Sequence, residues 1–246
     1  MALIDSILCN YKFDANANDD ANSYNGTVNS ATWGAGYGKI TGGYYFAGSQ
    51  DIDISADSEF SPFYNDMSFS AWIKIDNTST RHGIFGKGAA SNYEYLLEIN
   101  ASKVRMLGWK LSGKESCNFS GSTTITTAWT HVVVTIDNSS DSNNVKIYVN
   151  GSFDTTGSMA ISQMGDGTDK MHIGNGLGVY MVGYIDEPAV WNKVLTSTEI
   201  TELYNSGDGL QYPFSATGWT GTIIGVTDPT HVNGIAVADI DTINGE

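Results

Sequence analysis

The stretch Trp129-Thr-His-Val-Val-Val-Thr-Ile-Asp137, followed by Val145-Lys-Ile-Tyr-Val149 and Asn150-Gly151, decides the fold class. Val132, Val134 and Ile136 fall on every second position, so an extended chain puts them on one face. The second run repeats that period and closes on Asn-Gly, a dipeptide suited to the positive φ of a tight turn. Two strands of a half-buried antiparallel sheet are therefore expected.

Working outward, Met67-Ser-Phe-Ser-Ala-Trp-Ile-Lys-Ile75 alternates in the same way, with Met67, Phe69, Ala71, Ile73 and Ile75 on the inward face. Further strand-like runs lie at residues 6–13, 43–46, 51–54, 83–85, 93–99, 104–109, 123–125, 171–174 and 181–191. Ten or more strands without strand–helix alternation predict an all-β, two-sheet antiparallel sandwich. Thr196-Ser-Thr-Glu199 has capping-box spacing, Ile200, Leu203 and Tyr204 form an apolar stripe, and Gly207 offers a stop, which predicts one short helix near residues 197–206.

A length of 246 residues suits one large β domain, able to bury roughly 70–75% of its extended-chain surface. Two cysteines, Cys9 and Cys117, are too few for a disulfide framework and read as small apolar core residues. The net charge of −15 repels phosphate backbones and anionic lipid, so neither nucleic acid nor membrane is an expected partner. The first ten residues carry no export-signal pattern, and a soluble chain is expected.

These motifs resemble laminin-G-like, concanavalin-A-like jelly rolls over about residues 5–214. The Trp-x-His-Val and Tyr-Val-Asn-Gly hairpin is similar to that family's signature, and Gly183-Tyr-Ile-Asp-Glu-Pro-Ala-Val-Trp-Asn192 with the following helix is similar to its closing element. Tyr11-Lys-Phe-Asp14, the Asx-rich loop after it and Gly43-Tyr-Tyr-Phe-Ala-Gly48 resemble the opening strands. The resemblance implies a jelly roll that binds rather than catalyses. It divides the chain into a domain over residues 1–214 and a C-terminal extension over residues 215–246.

The loop from Asp14 to Asn25 offers Asp14, Asn16, Asn18, Asp19, Asp20, Asn22 and Asn25, the hard oxygen donors that Ca²⁺ takes six to eight of. It is not an EF-hand, because Asp19 stands at the glycine position and Asn25 at that of the bidentate glutamate. The resemblance implies a structural Ca²⁺ on Asp19 and Asn22, with Asp186 reaching over from a late strand. The competing reading is an Asx-rich turn that caps its own backbone.

Enzyme chemistry is not expected. Glycan-cleaving sandwiches carry acids on alternate residues of one strand; here Asp51 and Asp53 lack a third acid, and the adjacent Asp186 and Glu187 are expected on opposite faces. His82, His131, His172 and His231 show no metalloprotease or nucleophile-elbow spacing. For glycan binding, Trp33, Tyr37, Tyr93, Trp109 and Tyr180 are candidate stacking residues, with Asn92, Asp169 and Asn175 as polar partners.

From Val194 to Glu246 there is no Lys or Arg, and Ile223–Val226 and Val232–Ile240 are β-prone. Such a tail is expected to dock, either on its own sheet or on a neighbouring subunit, which makes a homo-oligomer the expected state. The opening Met-Ala-Leu-Ile-Asp-Ser-Ile-Leu and the repeated Val232-Asn-Gly and Ile243-Asn-Gly resemble phage virion proteins. The resemblance implies a virion protein made in the host cytoplasm and released by lysis, either a capsid decoration or a tail or fibre component. Residues 215–246 would then fasten it to capsid or tail proteins, and surface glycans would be its ligands. The alternative is a bacterial carbohydrate-binding or adhesion module.

Overall fold

The computed structural model describes residues 2–54, 57–89, 92–164 and 169–214, and four dipeptides of the tail. Its strands begin with β1 (Ile7–Asn10), β2 (Thr27–Asn29), β3 (Thr32–Gly34), β4 (Gly43–Ala47), β5 (Asp51–Ile54) and β6 (Met67–Ile75). They continue with β7 (His82–Ala89), β8 (Asn92–Asn100), β9 (Lys103–Trp109), β10 (Glu115–Ser120), β11 (Thr130–Ile136) and β12 (Val145–Val149). Last come β13 (Ser152–Gly157), β14 (Met171–Ile173), β15 (Asn175–Gly176), β16 (Val179–Tyr180) and β17 (Val182–Trp191), before helix α1 (Ser197–Tyr204).

Two antiparallel sheets form a sandwich. One runs β13-β12-β11-β6-β17-β4-β3, with β1 also paired to β17; the other runs β10-β9-β8-β7-β14-β5-β2. Val132, Val134 and Ile136 stand opposite Ala71, Phe69 and Met67, and all six point into the interior. There they meet Ile52, Ile54, Phe85, Tyr95, Leu97 and Ile99 of the second sheet. The Phe69 ring lies 5.5 Å from Phe85 and 5.1 Å from Tyr95. The expected turn is present, with Asn150 and Gly151 at φ 51° and 73°. Both cysteines are buried thiols, as expected.

The hairpin sheet is not half-buried: all seven residues of β11 are buried. A second hydrophobic layer covers its outer face, built from Leu3, Val133, Tyr148, Ala189, Trp191, Leu195, Ile200, Leu203 and Phe214. The Trp191 indole N–H closes this layer by donating to the Leu3 carbonyl at 2.7 Å. His131 belongs to it, fully enclosed beside Trp72 and Tyr204, with Nε2 2.9 Å from the Ser70 hydroxyl. Burial pushes its pKa down to about 3, so the ring packs as a neutral side chain.

Helix α1 carries the expected capping box, Thr196 with Glu199, but ends on Asn205 in the left-handed conformation, two residues before Gly207. Residues 123–125 form a loop rather than a strand, with the Ile125 side chain tucked into the core. The short polar strands β2, β3, β10 and β13 were not expected, because edge strands need few apolar residues. In the tail, Thr222–Ile223 pairs with Val226–Thr227 and His231–Val232 with Ile235–Ala236; the rest of the expected docking arm lies outside the described residues. No helix among the described residues is long and apolar enough to cross a membrane.

Phe69 touches aromatic rings of the opposite sheet and has no exposed surface, so Phe69→Ala should cost about 3–5 kcal/mol in equilibrium urea unfolding. Loss of the helix cap in Thr196→Ala should cost only about 1 kcal/mol in the same measurement.

Candidate functional site

β17 contains a bulge. Asp186 stands opposite Trp72 and Ala189 opposite Ser70, so three steps on β17 match two on β6. Glu187 absorbs the extra residue at φ 48°. This corrects the expectation that Asp186 and Glu187 point to opposite faces. Glu187 lies with Ser70, Trp72 and His131 on the outer side of the sheet, the side Asp186 shares through its pairing with Trp72.

Both carboxylates are buried. Asp186 Oδ2 accepts from the Ile40 amide at 2.9 Å, while its Oδ1 has no hydrogen-bond partner. Glu187 Oε1 accepts from Gln211 Nε2 at 2.7 Å, and its Oε2 is likewise unpartnered. The same Gln211 nitrogen donates to Asp14 Oδ2 at 3.0 Å, and Asp14 Oδ1 takes the Thr41 hydroxyl. Burial raises the Asp186 pKa to about 7; burial, then repulsion from Asp186, pushes Glu187 well above the usual carboxylate range. Gly38 lets the 38–42 loop close over this group, since a Cβ there would lie 1.9 Å from the Gly42 carbonyl and 2.8 Å from Asp186 Oδ2. Ile40 and Gln211 separate the carboxylates from an open cleft of about 790 Å³ beside α1.

The other two expected calcium ligands have different neighbours. Asp19 accepts from the backbone amides of Asn10 and Ala21 on Oδ1, at 3.0 and 2.9 Å, and from that of Tyr24 on Oδ2, at 3.0 Å. Asn22 Nδ2 donates to the carbonyls of Ile7 and Leu8, each at 3.0 Å. These two side chains stitch their loop to β1 and share no hydrogen-bond partner with Asp186. It is Asp14, from the start of the loop, that meets Glu187 through Gln211.

The expected sugar-stacking residues are dispersed. Tyr93 and Trp109 pair at 5.6 Å on the seven-stranded sheet, both half-buried. Tyr180 sits on the β15–β16 hairpin opposite Asn175, and Trp33 lies on β3 of the other sheet with its indole N–H tied to the Phe13 carbonyl. Asp169 offers its backbone carbonyl to Lys87, and the Asn92 side chain lies outside the described residues.

A denser aromatic group contains only Tyr37 of the expected stacking residues. Tyr45, Tyr184 and Lys74 stand directly opposite one another across β4, β17 and β6, on the face away from the core. Tyr37 and Trp129 flank them. Ring centroids separate by 4.9 Å for Tyr45–Tyr184, 5.4 Å for Tyr37–Tyr184 and 6.3 Å for Trp129–Tyr184. Lys74 Nζ lies 5.4 Å from the Tyr184 centroid, and the Tyr45 hydroxyl donates to Asp76 at 3.0 Å. The sequence signal was available: Tyr45 and Tyr184 each sit next to inward-facing residues, Tyr44, Phe46 and Ile185, and so had to point outward.

Residues 46–201 match the family model of the concanavalin A-like lectin/glucanases superfamily. The chain belongs to that superfamily. No curated protein sequence matches it. Among solved structures, its fold is similar to domain 4 of AbnA, an extracellular GH43 arabinanase from Geobacillus stearothermophilus determined with arabinotriose. That match has TM-score 0.63 and 20% identity and covers 80% of this chain and 97% of that one. It is also similar to the botulinum neurotoxin serotype D ligand-binding domain in complex with N-acetylneuraminic acid, with TM-score 0.62, 20% identity, and 83% and 52% coverage. A third match is the binding domain of Paraclostridial Mosquitocidal Protein 1, with TM-score 0.66, 13% identity, and 82% and 52% coverage. This superfamily member thus spans about half the length of the toxin domains it resembles.

Folded Asp186 keeps its proton up to about pH 7, whereas an unfolded aspartate releases it near 3.8. Folding therefore takes up a proton between those values, and this group's contribution to stability falls as pH rises through the window. Asp186→Asn removes that loss. In urea titrations with chelator present, the variant should gain stability relative to the wild type from pH 4 to pH 8.

Proposed function

We propose that the chain is a non-enzymatic glycan-binding module whose sugar-stacking face is formed by Tyr37, Tyr45, Tyr184 and Trp129. The observation that carries this is the contiguity of four aromatic rings on an outward sheet face, bordered by Lys74 and Asp76. Aromatic faces stack on the C–H surfaces of pyranose and furanose rings, while the charged border offers hydrogen bonds to hydroxyls. Domains of similar fold determined in complex with arabinotriose and with N-acetylneuraminic acid support the ligand class. A net charge of −15 favours neutral over anionic sugars. The adjacent acids of β17 are unsuited to catalysis: Asp186 is 0% and Glu187 6% exposed, so a glycosidic oxygen has no path to them.

The calcium implied by the family resemblance would draw on Asp186 and Glu187, each of which has one buried carboxylate oxygen without a partner, with Asp14 linked to Glu187 through Gln211. Asp19 and Asn22 would support such a site by fixing the loop that carries Asp14. The ion would neutralise the carboxylates and tie that loop to β17.

We assign the module to a phage particle, as a capsid decoration or a tail or fibre component, on the resemblance of its opening and closing motifs. Residues 215–246 are the proposed attachment and oligomerisation arm. Co-purification with intact particles should be lost when that arm is removed.

On a glycan array with calorimetry of the hits, Tyr184→Ala and Trp129→Ala should each weaken binding about tenfold, with an unchanged far-UV spectrum. Binding that persists in the double variant would refute the assigned face. Ca²⁺ in excess of its dissociation constant should raise the Tm, and Asp186→Ala should erase the rise.

A further inference from the structure

We propose a second, independent metal site, for a divalent transition ion of the zinc class, formed by Asp51, Asp53, His172 and Asn175 on the outer face of the seven-stranded sheet. Ile52 and Ile54 fill the interior, which turns Asp51 and Asp53 outward together. Asp53 stands directly opposite His172 on β14. His172 Nδ1 lies 2.8 Å from Asp53 Oδ1 and 3.5 Å from Asp51 Oδ2. The three residues each offer one ligand atom, all within 4.8 Å of one another, and among the described residues no other three His, Cys, Asp or Glu meet this closely.

The fourth residue points to a ligand on its own account. Gly174, at φ 80°, turns the chain after β14 so that the Asn175 side chain folds back onto Asp51, where Nδ2 donates to Oδ2 at 2.8 Å. Asn175 is only 9% exposed, and its Oδ1 is buried with no hydrogen-bond partner. A half-turn of the amide exchanges the two atoms and aims the orphan oxygen at the same place. Without a cation that would set oxygen against carboxylate; with one, both oxygens become ligands.

Geometry and chemistry agree on the ion. Tetrahedral bonds of about 2.0–2.1 Å separate neighbouring ligands by about 3.3 Å, and the present spacings of 2.8 and 3.5 Å bracket that value. One imidazole nitrogen with three oxygens suits zinc, whereas Ca²⁺ requires more oxygens and no nitrogen. The outer oxygens are already held from behind: Asn29 Nδ2 donates to Asp51 Oδ1 and Lys170 Nζ to Asp53 Oδ2, both at 2.7 Å. Such partners orient the inner oxygens toward His172. The bound ion would clamp β5, β14 and the β15–β16 hairpin together.

Cobalt titration of the full-length chain tests this. One equivalent of Co²⁺ should give the strong visible absorption of a tetrahedral site, displaced by Zn²⁺, and Zn²⁺ should raise the Tm. Both signals should vanish in His172→Ala and in the near-isosteric Asp53→Asn, weaken about tenfold in affinity in Asn175→Ala, and persist in Asp186→Asn. Absence of the absorption in the wild type, or its survival in either His172→Ala or Asp53→Asn, overturns the proposal.

Discussion

Side chains from alternate positions of β6 and β11 interlock with those of β5, β7 and β8, and this interlocking places everything on the outer faces. Because the period is two, committing Phe69, Ala71 and Ile73 to the interior commits Ser70, Trp72 and Lys74 to the outside. A slip of one residue would exchange the two sets and expose about half the core, so the register is held strongly. The Tyr45–Tyr184–Lys74 row is a by-product of that commitment: each member is the outward neighbour of a buried residue on three adjacent strands.

β17 departs from the pattern at one point, and the departure matters. Inserting Glu187 at positive φ gathers two acids where strict alternation would have separated them. The cost shows as raised proton affinities and unpartnered oxygens in a region otherwise sealed by Trp191, Leu203 and Phe214. Most buried polar atoms find partners, so the two unpartnered carboxylate oxygens at this bulge mark a place built for something other than stability.

The hairpin, the β6 alternation and the capped helix were legible in the sequence because each writes its period into apolar residues close together in the chain. The polar edge strands were not, since β13 reads Ser-Phe-Asp-Thr-Thr-Gly and β2 Thr-Val-Asn, and neither carries a core face. The sites were less legible than the fold. Asp51 and Asp53 were visible as alternating acids, but His172 reaches them from 119 residues away and Asn175 arrives only through the Gly174 turn. The bulge in β17 was hidden for a similar reason: nothing in Ile-Asp-Glu-Pro announces an extra residue until β6 is laid beside it.

The β15–β16 hairpin lies directly on β7, where Gly83 and Gly86 leave room for it. A Cβ on Gly83 would come within 2.2 Å of the Val179 carbonyl, and one on Gly86 within 2.3 Å of the Gly176 Cα. The hairpin occupies the middle of the seven-stranded sheet like a stopper in a trough. A long polysaccharide laid along that trough would have to lift it out and abandon its close backbone packing. On the proposed glycan-binding reading, the hairpin would stand in the way of a polymer laid across the middle of this sheet.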